Sequence, residues 1–97
     1  MKIVREALAG TLESSDLMVR ISPHPAGLEI VLQSEVMRQF GAQIEAVARD
    51  TLAKLEVETA LVVIEDKGAL DCVIRARLQT AVQRAAEDWT ADWSALS

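Results

Sequence analysis

The sequence predicts an α+β fold in the order β-β-β-α-β-α, with a mainly antiparallel sheet and two helices packed on one of its faces. Three observations lead there. Before Ser34 the apolar residues recur at every second position in three short runs, the pattern of strands with one covered face. From Ser34 the period lengthens to about 3.6, that of an amphipathic helix. Val57–Ile64 then interrupts with a β-branched stretch, apolar on both sides over its second half, and a second helical pattern follows it.

The first run, Ala7–Leu12, sets Leu8, Gly10 and Leu12 against Ala7, Ala9 and Thr11. In the second, Leu17, Val19 and Ile21 alternate with Met18, Arg20 and Ser22. Pro23-His24-Pro25-Ala26-Gly27 ends it, because two prolines cannot both sit in a sheet ladder. Leu28, Ile30 and Leu32 then alternate with Glu29, Val31 and Gln33, and the three runs are expected to form an antiparallel meander. Ser34 is placed to cap the first helix, with Glu35 in its first turn. Its apolar stripe takes in Val36, Met37, Phe40, Ile44, Val47, Ala48, Leu52 and Leu55, and the helix should end near Leu55 or Glu56. Val57–Ile64 suits a central strand, broken at Asp66-Lys67-Gly68. The second helix is expected from about Ala69 to Asp88, with Leu70, Ile74, Leu78, Ala81, Val82 and Ala85 facing inward.

At 97 residues and 51% hydrophobic content, the chain fits one domain, residues 1–97, with a flexible tail expected from about residue 87. A net charge of -5 argues against a nucleic-acid binder, since phosphate attraction needs a basic surface. Partners are expected to be proteins. One cysteine, Cys72, leaves no internal disulfide and no Cys/His metal cluster, which suits a cytoplasmic setting. No apolar run is long enough for a membrane span, and the N-terminus lacks the apolar core of a signal peptide.

Glu13-Ser14-Ser15-Asp16 stands out as a polar tip between two alternating runs. Its hydroxyls fit a plain turn or an attachment point. A serine nucleophile would need a base in reach, and the lone histidine, His24, sits between prolines in the next loop. Cys72, beside Val73 and Ile74, reads as a small buried hydrophobe. Lys67, Arg75, Arg77 and Arg84 concentrate positive charge in an acidic chain, as a solvated surface or as a dock for phosphates or an acidic partner. Trp89 and Trp93, four apart, would share one side of a continued helix and either cover the domain's core or anchor a partner.

Two stretches carry a more specific signal. Gly10-Thr11-Leu12-Glu13-Ser14-Ser15-Asp16-Leu17-Met18-Val19-Arg20-Ile21 and Asp66-Lys67-Gly68-Ala69-Leu70-Asp71-Cys72-Val73-Ile74-Arg75-Ala76-Arg77-Leu78 closely resemble the citrate lyase acyl carrier protein family, the gamma subunits of that complex. The resemblance implies a noncatalytic carrier. It implies that Ser14 is joined through a phosphodiester to phosphoribosyl-dephospho-coenzyme A, with Ser15, where many relatives have glycine, as the fallback hydroxyl. Arg75 and Arg77 are expected to help hold the phosphates of that arm or an acidic partner face. By the same resemblance an alpha subunit exchanges the arm's acetyl group for citrate, and a beta subunit cleaves the citryl thioester to oxaloacetate. A prosthetic-group transferase would load the arm. The alternatives are a carrier of the malonate decarboxylase type and a noncatalytic assembly or regulatory module with no covalent arm.

Overall fold

The computed structural model describes residues 1–86. Its elements are β1 (Ala7–Gly10), β2 (Leu17–Ser22), β3 (Leu28–Ser34), α1 (Met37–Lys54), β4 (Ala60–Asp66) and α2 (Asp71–Ala85), in the order the hydrophobic periods predict. The expected tail, Trp89 and Trp93 lie outside the described residues. The second helix runs only from Asp71 to Ala85, short of the expected Ala69 to Asp88, because Ala86 is extended and bridges to Ile3.

Strand order is β1-β2-β4-β3, which corrects the expected meander. β2 and β3 do not pair. Val19 lies opposite Ile64 in an antiparallel β2–β4 ladder, while Leu32 lies opposite Ile64 in a parallel β3–β4 ladder. The cause is in β4. A strand apolar on both faces gains most with a neighbour at each edge, and the proline-bearing Pro23–Gly27 loop separates β2 from β3 far enough to admit it. α1 then makes the crossover that a parallel pair requires. Two of the three pairings remain antiparallel.

One sheet face is covered. Leu17, Val19, Ile21, Val62 and Ile64 are wholly buried there with Ala48 and Leu52 of α1 and Ile74, Leu78, Ala81 and Val82 of α2. Each buried Leu, Ile or Val stabilises the fold by about 1.5–3 kcal/mol relative to its exposed state. Arg20 is exposed on the opposite face.

Several helix details differ from expectation. β3 runs through Ser34, so α1 begins at Met37 with Val36 at its N-cap and no side-chain cap. The Ser34 hydroxyl is already engaged: it donates to Asp66 Oδ2 at 2.8 Å and accepts the Val36 amide at 3.1 Å. Glu35 lies before the helix and pairs with Lys67 at 3.0 Å. The apolar stripe of α1 is only partly inward, since Met37 and Phe40 are each 47% exposed. Leu70 precedes α2 and is 70% exposed, not inward. Cys72 is exposed, not buried. At two positions from Ile74 it lies about 200° around the helix from that buried side chain. No described helix is long and apolar enough to cross a membrane.

Candidate functional site

The tip between β1 and β2 is built on a close backbone approach. Gly10 has φ +98°, and a Cβ there would overlap the Leu17 carbonyl oxygen. Only glycine suits both the left-handed backbone and the missing space. The chain then turns back: the Thr11 amide donates to Leu17 O at 3.1 Å, and the Asp16 amide donates to Glu13 O at 3.2 Å. The Thr11 hydroxyl accepts the Glu13 amide at 3.2 Å and donates to Asp16 Oδ2 at 2.7 Å. Beyond the strand ends, the Ser15 amide donates to Lys67 O at 2.8 Å and the Lys67 amide donates to Asp16 O at 2.9 Å. The β2–β4 ladder thus continues up one side of the tip.

The two tip serines differ within this frame. Both are exposed. Ser15 is tied to Lys67 through its backbone and has φ +65°, a region costly for a residue with a Cβ. A glycine at this place would carry no such cost. Among the described residues, the Ser14 hydroxyl has no hydrogen-bond partner.

Arg77 secures the other side. It reaches from α2 to Asp16 as a fork, Nε to Oδ1 at 3.1 Å and Nη2 to Oδ2 at 2.8 Å. Asp16 Oδ1 also accepts the Leu17 amide at 2.7 Å. The Arg77 bonds first, then the Thr11 hydroxyl, hold the Asp16 carboxyl down at about 2, against an ordinary 3.8, although desolvation opposes them. Asp16 in turn raises the Arg77 pKa. The structure thus brings Arg77 to the tip. Arg75 is exposed, outside this fork, and makes no ion pair among the described residues.

A second carboxylate, Asp66, supports the tip from below. It lies opposite Leu17 and is buried. Its oxygens accept the Ser34 hydroxyl at 2.8 Å and the Gly68 and Ala69 amides at 3.0 Å each. These bonds turn the chain out of β4 and set Lys67 beneath Ser15. By pattern Asp66 reads as a strand breaker, and it opens one of the two stretches that carry the resemblance; the local signal for its role is Asp two residues before Gly, a side chain suited to bonding its own following amides. Past this turn, Leu70 and Asp71 face Val36, Phe40, Gln43 and Ile44 across a groove of about 450 Å³. Gln43 Nε2 donates to Asp71 Oδ1 there at 3.2 Å. His24 bonds within its own segment, to Glu29 and the Ala26 amide, and not to the tip serines. No group of three or more metal-ligating side chains occurs among the described residues.

The chain as a whole is similar to known proteins. A chain in the crystal structure of a Pseudomonas malonate decarboxylase hetero-tetramer in complex with malonate superposes with a TM-score of 0.75, at 26% identity over 84% of both chains. The family model described as malonate decarboxylase delta subunit (MdcD), an acyl carrier protein, matches residues 4–85. The citrate lyase acyl carrier protein of Rhodopseudomonas palustris is 71% identical over the full length of both chains. The chain belongs to the citrate lyase acyl carrier protein family. Another member, from an Enterobacter species, is 65% identical over its full length. The tip and the Asp66 turn fall in the two stretches of this sequence that carry the resemblance.

Proposed function

We propose that this chain is the acyl carrier subunit of citrate lyase and that the Ser14 hydroxyl is the attachment point for phosphoribosyl-dephospho-coenzyme A. The observation that carries this reading is the contrast at the tip: Ser14 is exposed with its hydroxyl unengaged among the described residues, between neighbours that are bonded in place. Ser15, tied through its backbone at positive φ, remains the fallback hydroxyl.

The donor set fits an anchor. Ser14 is exposed, and the nearby carboxylate of Asp16 is already committed to Arg77, Thr11 and the Leu17 amide. Asp16 therefore has little capacity left to act as a base toward Ser14, and the base for attachment belongs to the prosthetic-group transferase. When bound, the group supplies a thiol that carries acyl groups as thioesters, which removes the carboxylate charge next to which citrate cleavage would build carbanion character. The chain's part is to hold one attachment point rigid and reachable. Tethering raises the effective concentration of the carried group at the alpha subunit, an acyl transferase, and at the beta subunit, a citryl lyase.

Full-length identity of 71% to a citrate lyase carrier, against 26% to a chain of the malonate decarboxylase assembly, favours citrate lyase over the malonate decarboxylase type. Arg77 acts on the arm indirectly in this reading, through Asp16 and the tip, and Arg75 is left as the residue available to an acidic partner or phosphates. Intact-mass analysis of the chain from its native host tests the assignment. The coenzyme-like added mass is expected in wild type and in Ser15→Ala, and absent from Ser14→Ala. Persistence of the mass in Ser14→Ala moves the anchor to Ser15, and its absence from wild type supports the armless assembly module instead.

A further inference from the structure

We propose that the groove beside the tip receives the neutral pantetheine end of the group carried on Ser14, so that the chain shelters its own cargo between visits to partner enzymes. This rests on the carrier reading above. Three observations converge on that occupant.

The first is continuity. Ser15, next to the anchor, bonds through its amide to Lys67 O, and the groove wall begins at the next residue, Gly68. A Cβ at Gly68 would meet nothing within 4 Å, so this first residue of the groove wall is uncrowded on that side. The second is shape and polarity. The volume of about 450 Å³ falls in the range of small-molecule sites, about 300–1,000 Å³. Val36, Ile44, Phe40 and Leu70 form an apolar bed, and Phe40 and Leu70 are left 47% and 70% exposed. Pantetheine, with a branched aliphatic centre and neutral amides, matches such a bed and the Gln43 carboxamide on its rim. The third is charge. Among the described residues no cation lines the groove and Asp71 stands on its edge, so the groove disfavours the phosphates of the arm. The Lys67 ammonium, between tip and groove, is paired with Glu35 at 3.0 Å and does not reach into the groove lining.

The test compares amide resonances of the isotope-labelled chain before and after loading, with loading at Ser14 verified by mass. Resonances of residues 40–44 and 68–71 are expected to shift, in addition to those of the tip. In loaded Leu70→Asp, a change at an exposed position, the shifts at 40–44 are expected to return toward their unloaded values. The second readout is alkylation of the arm thiol by a neutral reagent in a Cys72→Ser background, which removes the exposed protein thiol. Leu70→Asp should speed that reaction about tenfold, equivalent to about 1.4 kcal/mol of lost docking. Shifts confined to the tip with an unchanged alkylation rate overturn the inference and leave the carrier reading standing. Groove shifts that occur only when a partner subunit is added overturn it in favour of a protein-docking surface. A native chain without added mass overturns both readings together.

Discussion

β2 is flanked by two loops, Thr11–Asp16 and Pro23–Gly27, and they are held in different ways. The first is tied from distant parts of the chain: Arg77 forks onto Asp16, Lys67 exchanges backbone bonds with Ser15 and Asp16, and Gly10 presses onto the Leu17 carbonyl. The second is held mainly by itself. His24 accepts the Ala26 amide through Nδ1 and pairs with Glu29, and its one distant tie is the Ala60 amide to Gly27 O. Long-range ties are what convert a turn from a connection into a fixed platform. The fold concentrates them on the loop that presents Ser14, and leaves the other loop to its prolines.

The sharpest way to break this contrast is Gly10→Val. Its Cβ would collide with backbone at positive φ, and a loss of about 3 kcal/mol or more is expected by urea denaturation. Wild-type stability in that variant would mean that the close approach beneath the tip is dispensable. Asp66→Ala comes next, at about 2–3 kcal/mol, because it leaves the Gly68 and Ala69 amides and the Ser34 hydroxyl without their partner. Amide exchange at Ser15 and Lys67 should rise with it.

Asp16→Asn has a smaller effect that depends on pH. The folded-state carboxyl titrates at about 2 against an ordinary 3.8, so its ionised form contributes stability above the ordinary value and loses it as pH falls through the folded one. Acid titration of wild type, followed by amide exchange at the tip, should show loosening in that window. In Asp16→Asn the tip should be looser at neutral pH and insensitive to acid across the same window. An identical acid profile in both proteins would show that the Arg77 fork does not order the tip. The smallest effect is expected for His24→Ala, within about 0.5 kcal/mol, with tip exchange unchanged. A cost equal to that of Asp66→Ala would erase the distinction between the two loops.

Much of this architecture is legible in the residues. Alternation locates the first three strands, the longer period locates both helices, and β-branched residues apolar on both sides in the second half of Val57–Ile64 mark β4 as central. Alternation says which face a strand buries but not which strand it pairs with, so the parallel β3–β4 ladder escaped it. Leu70 and Phe40 were placed inward for a related reason: an apolar residue at helical spacing fits a core stripe and a groove wall alike. Cys72 was misplaced because residue type outweighed its position on the helix. At the tip, the sequence points to the polar stretch, but its charge singles out Arg77 only together with Lys67, Arg75 and Arg84, as a solvated surface or a dock for phosphates or an acidic partner and not as a support for Asp16. The fork joining Arg77 to Asp16 spans 61 residues and has no local signature.

The insertion of β4 between β2 and β3 also sets an order of assembly. During synthesis the tip residues emerge early, but Lys67 and Arg77, which fix them, arrive after most of the described chain has been made. A nascent chain stopped after β3 would own every tip residue and none of these two supports. If Ser14 is the anchor proposed above, an enzyme that recognises the finished shape of the tip would pass over unfinished chains, and the attached group would mark a chain whose folding is complete.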